Sequence, residues 1–404
     1  MPGKFLHPFA KPARESFITI ARGEGALLWD TDGNQLIDGM ASLWYCAIGH
    51  GRADMAHAIS SQVTTLESYS AFDPFTNAPA DQLAQRIALL SPLTDARVFL
   101  CSSGSESIDS AMKMARLAHV QAGHPERTII ISRTRGYHGT NYGGTSAQGI
   151  APNKVGYGTL LDDVIQVDAD DIEALALLMS EHSSRLAAVL AEPIQGAGGV
   201  FPPEPGYLAS LRRLCDQHGA YLIFDEVITA FGRLGTWFGA TYFGVEPDMI
   251  TFAKAVTSGY LPLGGVVVGQ KVCAALESDS DFFMRHGYTY SGHATACAAA
   301  LANIDILEQE ALLERSVHIG QRLNAGLQAL ADDGIIKHAR GEGAVWAAAL
   351  HPHQDAIKIR DRMLELGAIT RAINDANTFC PPLVITDPQL DSLIDIFATA
   401  ASGK

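Results

Sequence analysis

Several places in the chain hold residue types that could do chemistry, and each directly follows a short apolar run. Arg97–Leu100 leads to Ser102-Ser103-Gly104-Ser105, and Thr128–Ile131 leads to Gly136-Tyr137-His138-Gly139. Leu186–Leu190 leads to Glu192, Tyr221–Phe224 to Asp225-Glu226-Val227, and Met249–Phe252 to Lys254. The stretch Ser103-Gly104-Ser105 offers exposed backbone N–H groups and hydroxyls at a helix start, which suits a phosphate. Taken alone, the stretch is better accounted for by an ordinary serine cap. Asp225, at the end of an apolar strand, could cap a helix or sit in an ion pair. Beside a cationic ring nitrogen it would attract that charge by about 4 kcal/mol at ~4 Å and an effective dielectric near 20. Lys254 follows apolar residues, where desolvation lowers an amine's pKa and suits it to attack a carbonyl. Tyr137 and His138, flanked by glycines, could be core and turn, or could cover a flat ring.

These residues share a frame. The apolar runs, with Val266–Val268, are apolar on both faces, as in a mostly parallel sheet covered by helices. Helical stretches separate several of them. In the one after Ser105, Ile108, Ala111, Met112 and Ala115 recur at helical spacing, with Glu106 and Asp109 in the first turn. The pattern is α/β. In open α/β sheets ligands bind beyond the carboxyl ends of the strands, so the strand-end residues above converge on one cleft. Together they describe a ligand with a phosphate at one end, an aromatic cation in the middle and an aldehyde beside a lysine. That ligand is pyridoxal 5′-phosphate (PLP), whose ring acts as an electron sink.

The chain ends read differently. Gly23, Gly25 and Asp32-Gly33 mark turns between short strands before residue 46. Beyond residue 300 the chain reads as mostly helical, closing with Asp387 as N-cap, Pro388 at N1, and Leu390, Leu393, Ile394 and Phe397 on one face. We therefore expect a large domain over residues 46–300 and a smaller α+β domain built from 1–45 and 301–404.

Composition limits the function. The 404 residues carry a formal net charge of −15, which argues against nucleic-acid or anionic-membrane binding. No apolar run approaches the ~20 residues of a bilayer span. The opening MPGKFLHPFAKPARES lacks the apolar core of a secretory signal. The 6 cysteines form no CxxC pair and read as reduced thiols in a cytoplasmic protein. The 14 histidines show no metal-ligand spacing; His351-Pro352-His353 comes nearest and reads as a surface loop, so no metal is expected. No GxGxxG lies between a strand and a helix, which removes a nicotinamide dehydrogenase. GxxxxGK[ST] and GxSxG are likewise missing.

The succession SSGSES, GYHG, AEPIQGAGG, LIFDEVITAFGRLG, TFAK and YTYSGH resembles the class III (ω-) aminotransferases of PLP fold type I, over about residues 20–400. Asp225 and Lys254 stand 29 residues apart, as in that family. The resemblance implies that Lys254 binds the cofactor aldehyde and then shuttles a proton, and that Asp225 pairs with the ring nitrogen. It implies that Val227 and Tyr137 cover the ring faces, with His138 beside them. Ser103, Gly104 and Ser105 would serve the phosphate, and Glu192 the O3′ side of the ring. Thr289 would reach the phosphate of a neighbouring subunit, which requires a homodimer with shared active sites; dimer or tetramer stays open.

Ile37–Arg52, Thr236–Val266 and Gly367–Thr386 further resemble the ω-amino acid/amine:pyruvate branch. There the position of Trp44 lines the substrate pocket and that of Arg371 binds the acceptor carboxylate. A surface or ion-paired role is the plain alternative for Arg371. Ala294 replaces the branch's usual proline, and the N-terminus is short for the branch. The resemblance implies transfer of an amino group from an amine or ω-amino acid to an oxo acid such as pyruvate, in a ping-pong cycle. An aminomutase, a decarboxylase and a PLP-binding regulator are the alternatives.

Overall fold

The computed structural model describes residues 4–403. Near the amino end, β1 (Ile20–Glu24), β2 (Leu27–Asp30) and β3 (Gln35–Asp38) form an antiparallel meander. Its turns fall at the expected glycines: Gly25 and Gly33 have φ of +58° and +86°. The Asp30 carboxylate tightens the second turn by accepting from the backbone N–H of Asp32 and Asn34.

The large sheet holds β4 (Arg97–Cys101), β5 (Ile129–Arg133), β6 (Val164–Val167), β7 (Leu186–Ala191), β8 (Tyr221–Asp225), β9 (Met249–Phe252) and β10 (Gly264–Val268). Their spatial order is β4-β10-β9-β8-β7-β5-β6. Neighbours from β9 to β6 run parallel, and β10 runs antiparallel to both β4 and β9. Every residue of β5, β7, β8, β9 and β10 is buried, which accounts for their unbroken apolar runs. The helix Gly104–Gln121 buries Ile108, Ala111, Met112 and Ala115 on the face expected from their spacing.

The carboxyl-terminal region departs from the mostly helical expectation. It contains β11 (His338–Glu342), β12 (Val345–Ala349), β14 (Arg371–Ile373) and β15 (Ala376–Phe379), in a second four-stranded sheet of order β11-β12-β15-β14. Between them β13 (Ala368–Ile369) crosses to pair parallel with β3, so the two ends of the chain share one sheet. The helical run begins at Ala294, with His293 as N-cap, rather than near 300. Ala294 thus occupies the first helical position, where proline is also tolerated. The last helix, Asp387–Ala401, is capped by Thr386 and not by Asp387. Thr386 and Gln389 form a reciprocal capping box, and Asp387 lies in the first turn. Residues 1–3 and 404 of the expected smaller domain lie outside the described residues.

Candidate active site

The carboxyl ends of β4, β5, β7, β8 and β9 open on one side of the large sheet. Asp225 closes β8 and is 5% exposed. Its Oδ1 accepts from the Val227 N–H at 3.1 Å and from the Thr251 hydroxyl at 3.4 Å, and its Oδ2 lies 2.8 Å from His138 Nδ1. Thr251 is available because it stands directly opposite Asp225 in the β8–β9 register. A carboxylate fixed on both oxygens in this way is aimed by the sheet itself.

Lys254 begins just past β9, at a φ of +49°. A residue with a β-carbon in this left-handed region is strained by about 1–3 kcal/mol, and such strain clusters at functional sites. Burial pushes the Lys254 amine below the ordinary lysine range. The carboxylates of Asp225 and Glu192 oppose that shift, and Arg371 adds a smaller downward push. A lowered pKa raises the share of neutral, nucleophilic amine relative to a free lysine.

Glu192 follows β7 and accepts from two backbone N–H groups, Tyr137 at 2.9 Å and Gly196 at 3.0 Å. Burial raises its pKa to about 7, with His138 lowering it and Asp225 raising it further. The buried Arg133 donates to the Glu192 carbonyl from beneath. Tyr137 is half-buried, and both Arg371 and Asp225 act on its phenol electrostatically. Glutamate 226, next to Asp225, faces away: it accepts from the N–H groups of Gly239 and Ala240 and from Thr229. Burial raises it to about 7 as well.

The helix start is built as its sequence suggests, with one reassignment. Ser103 is the N-cap, and its hydroxyl accepts from Glu106 N–H at 3.2 Å. The Ser103 hydroxyl is thus committed to the helix. The Ser105 hydroxyl accepts from Thr140 N–H at 3.0 Å. The backbone N–H groups of Gly104 and Ser105 sit in the first turn, where no intrahelical acceptor exists. Val227 packs against Gly104: a β-carbon there would stand 3.1 Å from both Val227 methyls. The anion cradle and the Asp225 loop are therefore in contact.

Two expected residues make no side-chain hydrogen bond to these groups. Trp44 is 2% exposed and packs in a small core cluster with Met40, Ile228 and Cys380. Thr289 is exposed, in the turn between Tyr288 and Ser291, and is not drawn into the cleft of its own chain. Arg371, at the start of β14, is exposed by area, yet surrounding protein depresses its guanidinium pKa, with Tyr137 opposing. It has no ion-pair partner among the described residues. Thr251, Arg133 and the hydrogen bond from His138 to Asp225 were not foreseen. Of these only the β8–β9 register carries a signal, and it needs the sheet to be known.

The arrangement fits PLP. Unpaired N–H groups at a helix start suit its phosphate, a buried carboxylate suits its pyridine nitrogen, and a buried amine of lowered pKa suits its aldehyde.

Comparison with known proteins agrees. The family Aminotransferase class-III matches residues 9–401. A β-alanine–pyruvate aminotransferase of Pseudomonas aeruginosa is 37% identical, over 95% of this chain and 92% of its own length. A putrescine–pyruvate aminotransferase of the same organism is 35% identical, over 93% and 89%. Among solved structures, a transaminase of the marine bacterium Virgibacillus superposes with a TM-score of 0.96 at 36% identity, covering 99% of this chain and 97% of that one. A PLP-bound amine transaminase from an uncultivated Pseudomonas species gives 0.95 at 35% identity, covering 100% and 99%. The chain belongs to the class III aminotransferases and works with pyridoxal 5′-phosphate.

Proposed function

We propose that the protein transfers an amino group from an ω-amino acid or amine to pyruvate or a similar oxo acid, returning alanine when pyruvate is the acceptor. PLP supplies the electron sink that lets the donor lose a proton from the carbon bearing its amino group. The chain's own residues do the rest. Lys254 Nζ would hold the cofactor at its aldehyde carbon and, as a free amine, would accept the proton leaving the donor carbon. Asp225, aimed by Val227, Thr251 and His138, keeps the ring nitrogen protonated. Val227 and Tyr137 cover the ring, the N–H groups of Gly104 and Ser105 take the phosphate, and Glu192 stands on the ring-oxygen side. Arg371 binds the acceptor carboxylate, and Trp44 shapes the pocket from behind.

The observation that carries the acceptor assignment is Arg371. Its guanidinium has no ion-pair partner among the described residues, yet it acts electrostatically on both Tyr137 and Lys254. A planar guanidinium in that place suits a carboxylate. The similarity to aminotransferases does not favour the aminomutase, decarboxylase or regulator readings.

We further read residues 46–300 as the cofactor-binding domain, with 1–45 and 301–404 as the smaller one. The working unit is a homodimer, or a tetramer made of two such dimers, in which Thr289 reaches the partner's phosphate. Its exposure supports this, as do the exposed aromatic rings around it. A cytoplasmic location accords with six unpaired cysteines. No helix of the described residues is long and apolar enough to cross a membrane.

The test is a panel of amines and ω-amino acids incubated with pyruvate and scored by alanine. At least one donor must give alanine in step with its own loss. Loss of donor without alanine, or with carbon dioxide, would overturn the assignment.

A further inference from the structure

The turn that follows Lys254 is an unusual piece of backbone. Lys254 and Ser258 are both left-handed, each with a φ of +49°, and only a short 3₁₀ turn lies between them. Its own hydrogen bonds are long: Thr257 N–H to Lys254 O is 3.4 Å and Ser258 N–H to Ala255 O is 3.3 Å. Something outside the turn must hold it.

That support is Asn303, fully buried on the helix Ala294–Gln309. Its amide nitrogen donates to the carbonyls of Ala255 at 2.9 Å and Val256 at 3.0 Å. Its Oδ1 accepts from the Ser258 hydroxyl at 2.6 Å. Both donors and the acceptor are thus used on one four-residue stretch beginning beside the lysine.

The Ser258 hydroxyl also accepts from Ile48 N–H at 3.2 Å, 210 residues away in sequence. Ile48 belongs to the loop that carries Trp44. Two more contacts join the same pieces. The Tyr260 hydroxyl donates to Gly49 O at 2.9 Å. The Tyr45 ring lies where a β-carbon on Gly259 would be, 2.3 Å from Cδ2, so only glycine admits it. The Trp44 loop is strained in its turn, with Ala41, Ser42 and Trp44 all at positive φ. Asp38 clamps it, accepting from Met40 N–H, Ser42 N–H and His50 Nε2 at 3.0, 2.7 and 2.8 Å.

We propose that Asn303 is a positioning residue, which through Ser258 locks the lysine turn to the Trp44 loop so that the cofactor-bearing amine and the pocket wall move as one body. This rests on the reading that Lys254 carries PLP. Two strained segments are held at a shared buried amide, and neither can relax without disturbing the other.

The test uses PLP-loaded Asn303→Leu, Ser258→Ala and the double variant, read by kcat, KM, thermal midpoint and visible circular dichroism of the bound cofactor. We expect kcat to fall at least about tenfold for Asn303→Leu, as for misplacement by a fraction of an ångström. The visible dichroism should change in amplitude, and Ser258→Ala should change it in the same direction. The double variant should be little worse than Asn303→Leu alone, because the two groups act as a unit. A lowered thermal midpoint with unchanged kcat and dichroism would reduce Asn303 to a structural role. If Asn303→Leu does not fold, Ser258→Ala decides: an unaltered dichroism and kcat would overturn the proposal. If wild type shows no visible cofactor band, the reading of Lys254 fails instead.

Discussion

The carboxyl edge of the large sheet and the surface formed by residues 67–77 and 283–293 make opposite use of their side chains. At the edge, the carboxylates are enclosed and find partners within the chain. Asp225 is fixed on both oxygens, Glu192 accepts from two backbone N–H groups, and Glu226 from two more and a hydroxyl. At the surface, Tyr69, Phe72, Phe75, Phe283 and Tyr290 each leave more than half of their area exposed. The two segments meet there: Asn77 donates to Gly292 O at 2.8 Å, and Phe72 lies against Gly287. Exposed aromatic rings grouped in this way suit the self-association proposed above. The carboxylates of the first region are paired within the chain, whereas the second, which bears Thr289, leaves its rings exposed.

That contrast can be broken at either end. The largest effect is expected at the edge. Asp225→Asn keeps the shape but removes the charge, so about 4 kcal/mol of attraction to a ring nitrogen is lost, which corresponds to about a thousandfold in kcat. Stopped-flow measurement of the donor half-reaction checks it, and a loss below about tenfold would detach Asp225 from the ring. A smaller effect is expected at the surface. Phe72→Ser with Tyr290→Ser should weaken self-association by at least about tenfold, because buried aromatic anchors dominate interfaces. Sedimentation across protein concentrations measures it. Activity should fall together with the dimer. A wild-type monomer with full activity would show that the single chain is complete after all.

How far the sequence revealed these regions follows from the same contrast. The interior strands were legible because burial on both faces writes a continuous apolar run, as in Leu186–Ala191. The edge strand Val164–Val167 is mostly half-buried, and its four residues, broken by Gln166, write too short an apolar run to stand out. The strands Val345–Ala349 and Ala376–Phe379 hid for another reason. Their alanines have weak strand preference, and only long-range pairing to one another makes them β. The cap of the last helix was misplaced by one residue because Thr386 and Asp387 are both good caps; only the reciprocal bond to Gln389 decides between them. The strand-end chemistry was legible, since Asp225 and Lys254 sit where an α/β sheet must present them. The supports were not. Thr251, Asn303 and Ser258 act through register and through contacts across the fold, which local sequence does not encode.

The central claim is that the Lys254 amine carries the cofactor. Borohydride reduction of the PLP-loaded protein, followed by proteolysis and mass spectrometry, tests it most directly. The reduced cofactor should stay on the peptide containing Lys254, and Lys254→Ala should retain no covalent label. A label on another lysine, or none on wild type, would contradict it.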